Sequence, residues 1–125
     1  MDKKSDVYER AFQFAFRISK MADALSNHRR IHRNSMNQLV DAATSIGSNL
    51  QEAKGAQSRA DFHAKVRIAL KEARESHYWL RLLSKRAVVP VWRLAPLLQE
   101  ANEIVAILTT IAKKTNPRNP PPLTS

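Results

Sequence analysis

Cysteine is absent from the 125 residues, which removes disulfide frameworks, thiolate metal sites and cysteine nucleophiles together. Glycine is nearly absent as well: only Gly47 and Gly55 occur, and no proline precedes Pro90. A sheet of short strands needs turn residues every few positions, so a chain this poor in them up to residue 89 is expected to form long helices. Long apolar runs are missing too; the longest, residues 87–92, is interrupted by Pro90 and is too short to span a bilayer. The charged opening Met1-Asp2-Lys3-Lys4 lacks the apolar core of a secretory signal. A cytoplasmic protein with no membrane contact is the expectation.

Recognisable catalytic patterns are lacking in the same way. There is no phosphate-binding loop, no Gly-rich dinucleotide turn and no nucleophile elbow. Di-iron bundles require glutamate followed three residues later by histidine, and none of the six glutamates has that partner. The pairs Glu72–Glu75 and Glu100–Glu103 therefore read as surface charge. A protein that is not an enzyme and carries no cofactor or metal is expected.

What is present is helical periodicity. At about 100° per residue, residues 6–25 gather Val7, Tyr8, Ala11, Phe14, Ile18, Met21 and Leu25 on one face, with Asp6 and Glu9 at capping spacing. Residues 35–54 align Met36, Leu39, Val40, Ala43, Ile46 and Leu50, and Gly55 stands where a left-handed residue would end the helix. Ser58 with Asp61 marks the start of a third helix over 59–85, with Phe62, Val66, Ala69, Ala73, Ser76 and Leu80 inward. A fourth, over about 92–114, aligns Leu94, Leu97, Ala101, Ile104, Leu108 and Ile111. Pro96 leaves two starts open: just before it, with Pro96 in the first turn, or at Pro90, with Pro96 kinking the helix. Four such helices with short connections predict an all-α, antiparallel up-and-down four-helix bundle over residues 1–115. Residues 116–125 form a Pro-rich tail expected to be flexible.

The net charge of +10 is unevenly placed. Residues 26–33 carry three arginines and no acid, and residues 59–86 carry eight basic against three acidic groups. On the third helix Arg59, His63, Arg67, Lys71, Arg74, His77, Arg81 and Lys85 fall within an arc of about 120°, which Asp61, Glu72 and Glu75 avoid. A face serving solubility alone would mix signs. The one-sign stripe points to an anionic partner, RNA or DNA first, against the alternative of a merely basic surface. Arg29, Arg30 and Arg33 of the first loop add to it. His28 and His32 stand at metal-ligand spacing, but the flanking arginines repel a cation and no carboxylate completes a site.

Some apolar residues fall outside the inward stripes: Phe12 and Phe16 on the first helix, and Ile68, Trp79 and Leu82 on the third. Burying each is worth about 1.5–3 kcal/mol, so self-association through these five is expected, with a widened core stripe as the alternative. Trp79 beside Tyr78 is also a candidate for stacking an unpaired base.

The run Ser45-Ile46-Gly47-Ser48-Asn49-Leu50-Gln51-Glu52-Ala53, followed by Asp61-Phe62 and by Glu72-Ala73-Arg74-Glu75 through Tyr78-Trp79-Leu80, resembles the four-helix-bundle family of 23S rRNA intervening-sequence proteins. Ala53 departs from the glycine common there. The resemblance implies a homopentamer of four-helix protomers and kinship with accessory proteins of diversity-generating retroelements, basic pentamers that bind nucleic acid and a reverse transcriptase. It also marks Asn49 and Glu52 as a signature polar pair. One turn apart on the second helix, they read as structural groups that fix helix register, with Arg or Lys of the third helix as partners. Together these features predict a basic homo-oligomer that binds nucleic acid through Arg29, Arg30, Arg33, Arg59, Arg67, Lys71, Arg74, Arg81 and Lys85. The rival is a structural or adaptor bundle that engages a protein.

Overall fold

The computed structural model describes residues 7–118. Four helices follow one another: α1 (Val7–Ala24), α2 (Arg33–Lys54), α3 (Arg59–Lys85) and α4 (Val91–Thr115). Each packs on its neighbours in sequence, α4 returns to α1, and the backbones of the diagonal pairs do not approach closely among the described residues. This is the up-and-down bundle that the four apolar stripes require. Asp6 as a cap for α1, and the tail beyond Arg118, lie outside the described residues.

The interior is apolar and mostly aliphatic. Phe14 and Ile18 of α1, Leu39, Ile46 and Leu50 of α2, Val66 and Leu80 of α3, and Leu94, Ile104 and Leu108 of α4 are all buried. Small residues bring the helix axes together; Gly47 faces the backbone of α1 at Ala11 and Phe12. Ser76 is the buried polar residue, and its hydroxyl donates to the Glu72 carbonyl at 2.9 Å, so no donor is stranded.

The helix ends depart from expectation in three places. α2 begins at Arg33 rather than Ser35, because His32 caps it: the ring Nδ1 accepts from the Ser35 backbone N–H at 3.1 Å and lies 2.8 Å from its hydroxyl. An imidazole does here what Ser, Asp or Asn usually does. Gly55 follows α2 with φ −94°, so its left-handed freedom is unused. The left-handed residue is instead Ala87 (φ 57°), which reverses the chain after α3 and donates its N–H to the Ser84 carbonyl at 3.1 Å.

Ser58 does cap α3 as expected, its hydroxyl accepting from the Asp61 N–H at 3.0 Å. α4 starts at Val91 and runs through Pro96, so the first of the two alternative starts is set aside. The missing Pro96 N–H costs the Trp92 carbonyl its intrahelical partner. Both residues are exposed, so water can replace that bond.

α1 and α4 share the sparsest contact, and one arginine joins them. Arg10 Nε donates to Glu100 Oε2 at 2.9 Å and Arg10 Nη2 to Glu100 Oε1 at 2.6 Å, while Nη2 also reaches Glu103 Oε1 at 2.7 Å. These bonds, opposed by partial burial, raise the guanidinium pKa above its ordinary value. The carboxylate pair Glu100–Glu103 is thus an interhelical clamp.

Candidate nucleic-acid interface

α3 carries its cations where the wheel placed them. Arg67, Lys71, Arg74, Arg81 and Lys85 are exposed, and none of the five forms an ion pair among the described residues. An open groove is lined by Arg67, Lys71 and Arg74 together with Ile68 and Tyr78, and Glu75 is the one acid in it. A second groove continues toward the end of α3 along Tyr78, Arg81, Leu82 and Lys85, with Leu98 of α4 opposite. Cations alternate there with exposed apolar surface.

The two ends of the arc behave differently from its middle. Arg59 turns toward α4, its Nη2 donating to the Lys114 carbonyl. A guanidinium there satisfies a free carbonyl at the negative end of the helix dipole. His63 Nδ1 lies 3.2 Å from Thr115 Oγ1 in the same seam. Both residues serve helix packing. His77, further along, is half-buried; burial first and the Arg81 charge second push its pKa below the ordinary 6.5. It sits in the stripe as a neutral ring at pH 7.

The first loop joins the stripe at one end of the bundle. Arg86, just after α3, donates from Nη2 to the Arg30 carbonyl at 3.0 Å, tying the α1–α2 and α3–α4 connections together. Arg29, Arg30 and Arg33 are exposed. His28 and His32 do not share a helix: His28 Nδ1 accepts from the Arg30 N–H at 3.1 Å and His32 caps α2. The His pair is therefore loop architecture, and no cluster of three or more metal-ligating side chains occurs among the described residues.

Of the five outlying apolar residues, Phe12 (63% exposed), Phe16 (52%), Ile68 (41%) and Leu82 (36%) do face solvent. Trp79 does not belong with them. It packs against the core and lines a small crevice with Ile31, Met36, Leu39 and Leu83, and its ring meets that of exposed Tyr78 edge-to-face at 4.9 Å. Its wheel position falls toward α2, so the neighbouring helix covers it. Sequence reasoning missed Val91 (61%) and Trp92 (74%), exposed in the first turn of α4. Their signal was the Pro90 that starts the helix there.

The model of the 23S rRNA-intervening sequence protein family matches residues 3–110. The chain belongs to this family. A crystal structure of a protein of unknown function from the S23 ribosomal protein family of Bacteroides thetaiotaomicron superposes with a TM-score of 0.82 at 37% identity, covering 90% of this chain and 99% of the other. No curated protein matches. In this intervening-sequence protein the signature polar residues part company. Glu52 pairs with Lys65 of α3 at 3.0 Å, which is the expected cross-helix contact. Asn49 instead donates from Nδ2 to the Ser45 carbonyl of its own helix at 2.8 Å. Ala53 is buried, so the bundle accepts a methyl at that position.

Proposed function

We propose that this intervening-sequence protein is a non-enzymatic, cytoplasmic homo-oligomer that binds RNA or another nucleic acid by phosphate contacts along α3. The observation that carries this reading is the row Arg67, Lys71, Arg74, Arg81 and Lys85, exposed and without ion-pair partners among the described residues. Like charges held along one ridge repel one another, and a polyanion relieves that repulsion while releasing its counterions. Arg29, Arg30 and Arg33 extend the same potential. Phosphate contacts of this kind position a strand and carry little sequence readout.

Oligomerisation is supported by where the apolar residues lie. Phe12 and Phe16 belong to α1, Ile68 and Leu82 to α3, and these two helices are diagonal in the bundle. Two different patches on opposite sides suit a head-to-tail contact, which closes into a ring when the rotation permits. A pentamer, as the resemblance implies, is such a ring, and a reverse transcriptase is a candidate partner for it.

Anisotropy titration of a labelled oligonucleotide at several salt concentrations tests the reading. Affinity is expected to fall linearly in log–log form as salt rises, and Arg67→Glu with Arg74→Glu is expected to weaken binding at least 10-fold. No binding at low salt, or affinity unchanged by the double reversal, would overturn it.

A further inference from the structure

The bundle has a second basic feature that α3 alone does not explain. Antiparallel order puts the α1–α2 and α3–α4 connections at one end, and the Arg86–Arg30 hydrogen bond joins them there. Residues 17–33 and 81–93, which make up that end, hold nine basic side chains against the single acid Asp23. Their net +8 is most of the chain's +10. Arg17 and Lys20 of α1 and Arg93 of α4 line one opening there, between the two helices. At this pole stands Trp92, 74% exposed and the most exposed large hydrophobic residue described.

We infer that this pole is a single-strand-binding cap, in which Trp92 stacks on an unpaired base while the surrounding arginines hold the flanking phosphates. The inference rests on the nucleic-acid reading above and adds to it a strand preference and a stacking residue. An indole left in water among cations offers a flat apolar face, and any base with an unstacked face can cover it. Bases inside a duplex are already stacked, and the duplex presents its phosphate backbone instead. Ala87 makes the arrangement: its left-handed turn follows α3 and lets Val91-Trp92-Arg93 open α4 at the same end of the bundle as the arginine loop.

Arg81 and Lys85 belong both to the pole and to the α3 ridge. The ridge from Arg67 to Lys85 runs roughly 27 Å along the side of the bundle. A flexible strand can follow the side and turn over the end, whereas a flat anionic bilayer resting on the pole cannot reach the ridge. A second copy of the pole is disfavoured by its own charge.

The test compares an unstructured 20-nucleotide oligouridine with a 20-base-pair duplex, using wild type, Trp92→Ala, Trp92→Phe and Arg29→Glu with Arg93→Glu. Trp92→Ala is expected to weaken oligouridine binding about 5-fold or more and to change duplex binding less than twofold. Trp92→Phe retains most of the affinity. The paired reversal weakens both ligands. Oligouridine should quench tryptophan emission in wild type, and Trp92→Phe should lose that quenching. An unchanged melting temperature for Trp92→Ala establishes that the effect is at the surface.

Equal oligouridine affinity in wild type and Trp92→Ala overturns the cap, even where Arg67→Glu with Arg74→Glu still abolishes binding and the ridge stands. Emission shifted by phosphatidylserine vesicles but not by oligouridine also overturns it, in favour of a lipid surface. Failure of wild type to bind either oligonucleotide at low salt removes the ridge and the cap together.

Discussion

Ala87 holds a left-handed backbone that costs an L-residue about 1–2 kcal/mol and glycine almost nothing. After the extra chain entropy of glycine is deducted, Ala87→Gly is expected to stabilise by about 0.5–1 kcal/mol, read as a higher melting temperature. His77 supplies a pH dependence of known sign. Its folded pKa lies below the ordinary value, so between pH 6.5 and that lower pKa the unfolded chain binds a proton that the folded one refuses. Stability falls as pH drops through that window. His77→Gln should flatten the melting-temperature profile below pH 6.5 and leave it unchanged above. Glu72 acts in the opposite sense: burial, then Glu75, raises its pKa, so its contribution weakens as pH rises from the ordinary 4.5. Neither shift was legible beforehand. The residue types are in the sequence, but desolvation depends on what packs over them.

Periodicity made the elements readable. Helix α3 occupies Arg59–Lys85 as its cap and apolar spacing dictate, because Ser58 and the inward stripe are local features of one turn and one face. A boundary failed where the capping group was unusual, as with His32 on α2, while α4 took the one of its two open starts that keeps Pro96 inside the helix on a wet face. Pairing between elements was less readable still. Arg10 meets Glu100 and Glu103 across some ninety residues, although both glutamates read as surface charge. Arg10→Met should cost about 1–3 kcal/mol in urea denaturation, since it strips partly buried Glu100 of its bidentate partner and takes one contact from Glu103. Removing the carboxylates as well, with Glu100→Met and Glu103→Gln, should recover most of that loss.

At the scale of the whole molecule the apolar and cationic surfaces are separate on α1 and shared on α3. Phe12 and Phe16 lie away from the α3 ridge, whereas Ile68 and Leu82 line the same grooves as its cations, so a head-to-tail contact and a polyanion would meet on part of the α3 surface. Phe12→Glu with Phe16→Glu is expected to reduce the proposed oligomer to smaller species by light scattering. The melting transition of each protomer should remain, because both side chains already stand in water. The candidate site was legible as a list and less so as a surface. Arg67, Lys71, Arg74, Arg81 and Lys85 stand free as the wheel drew them, yet Arg59 is taken by α4 and Trp79 is covered by α2. No helix among the described residues is long and apolar enough to cross a membrane.

The sequence by itself determined four amphipathic helices, their inward faces and a ridge of like charge on α3. All of these are repeats of 3.6 residues, which any turn of helix expresses without knowing its neighbours. Tertiary structure decided which ends meet: that Arg86 reaches the Arg30 carbonyl, that Arg10 closes the α1–α4 seam, and that Trp92 opens α4 at the end of the bundle that holds the arginine loop. Those outcomes depend on packing between segments far apart in the chain, and no local period encodes them.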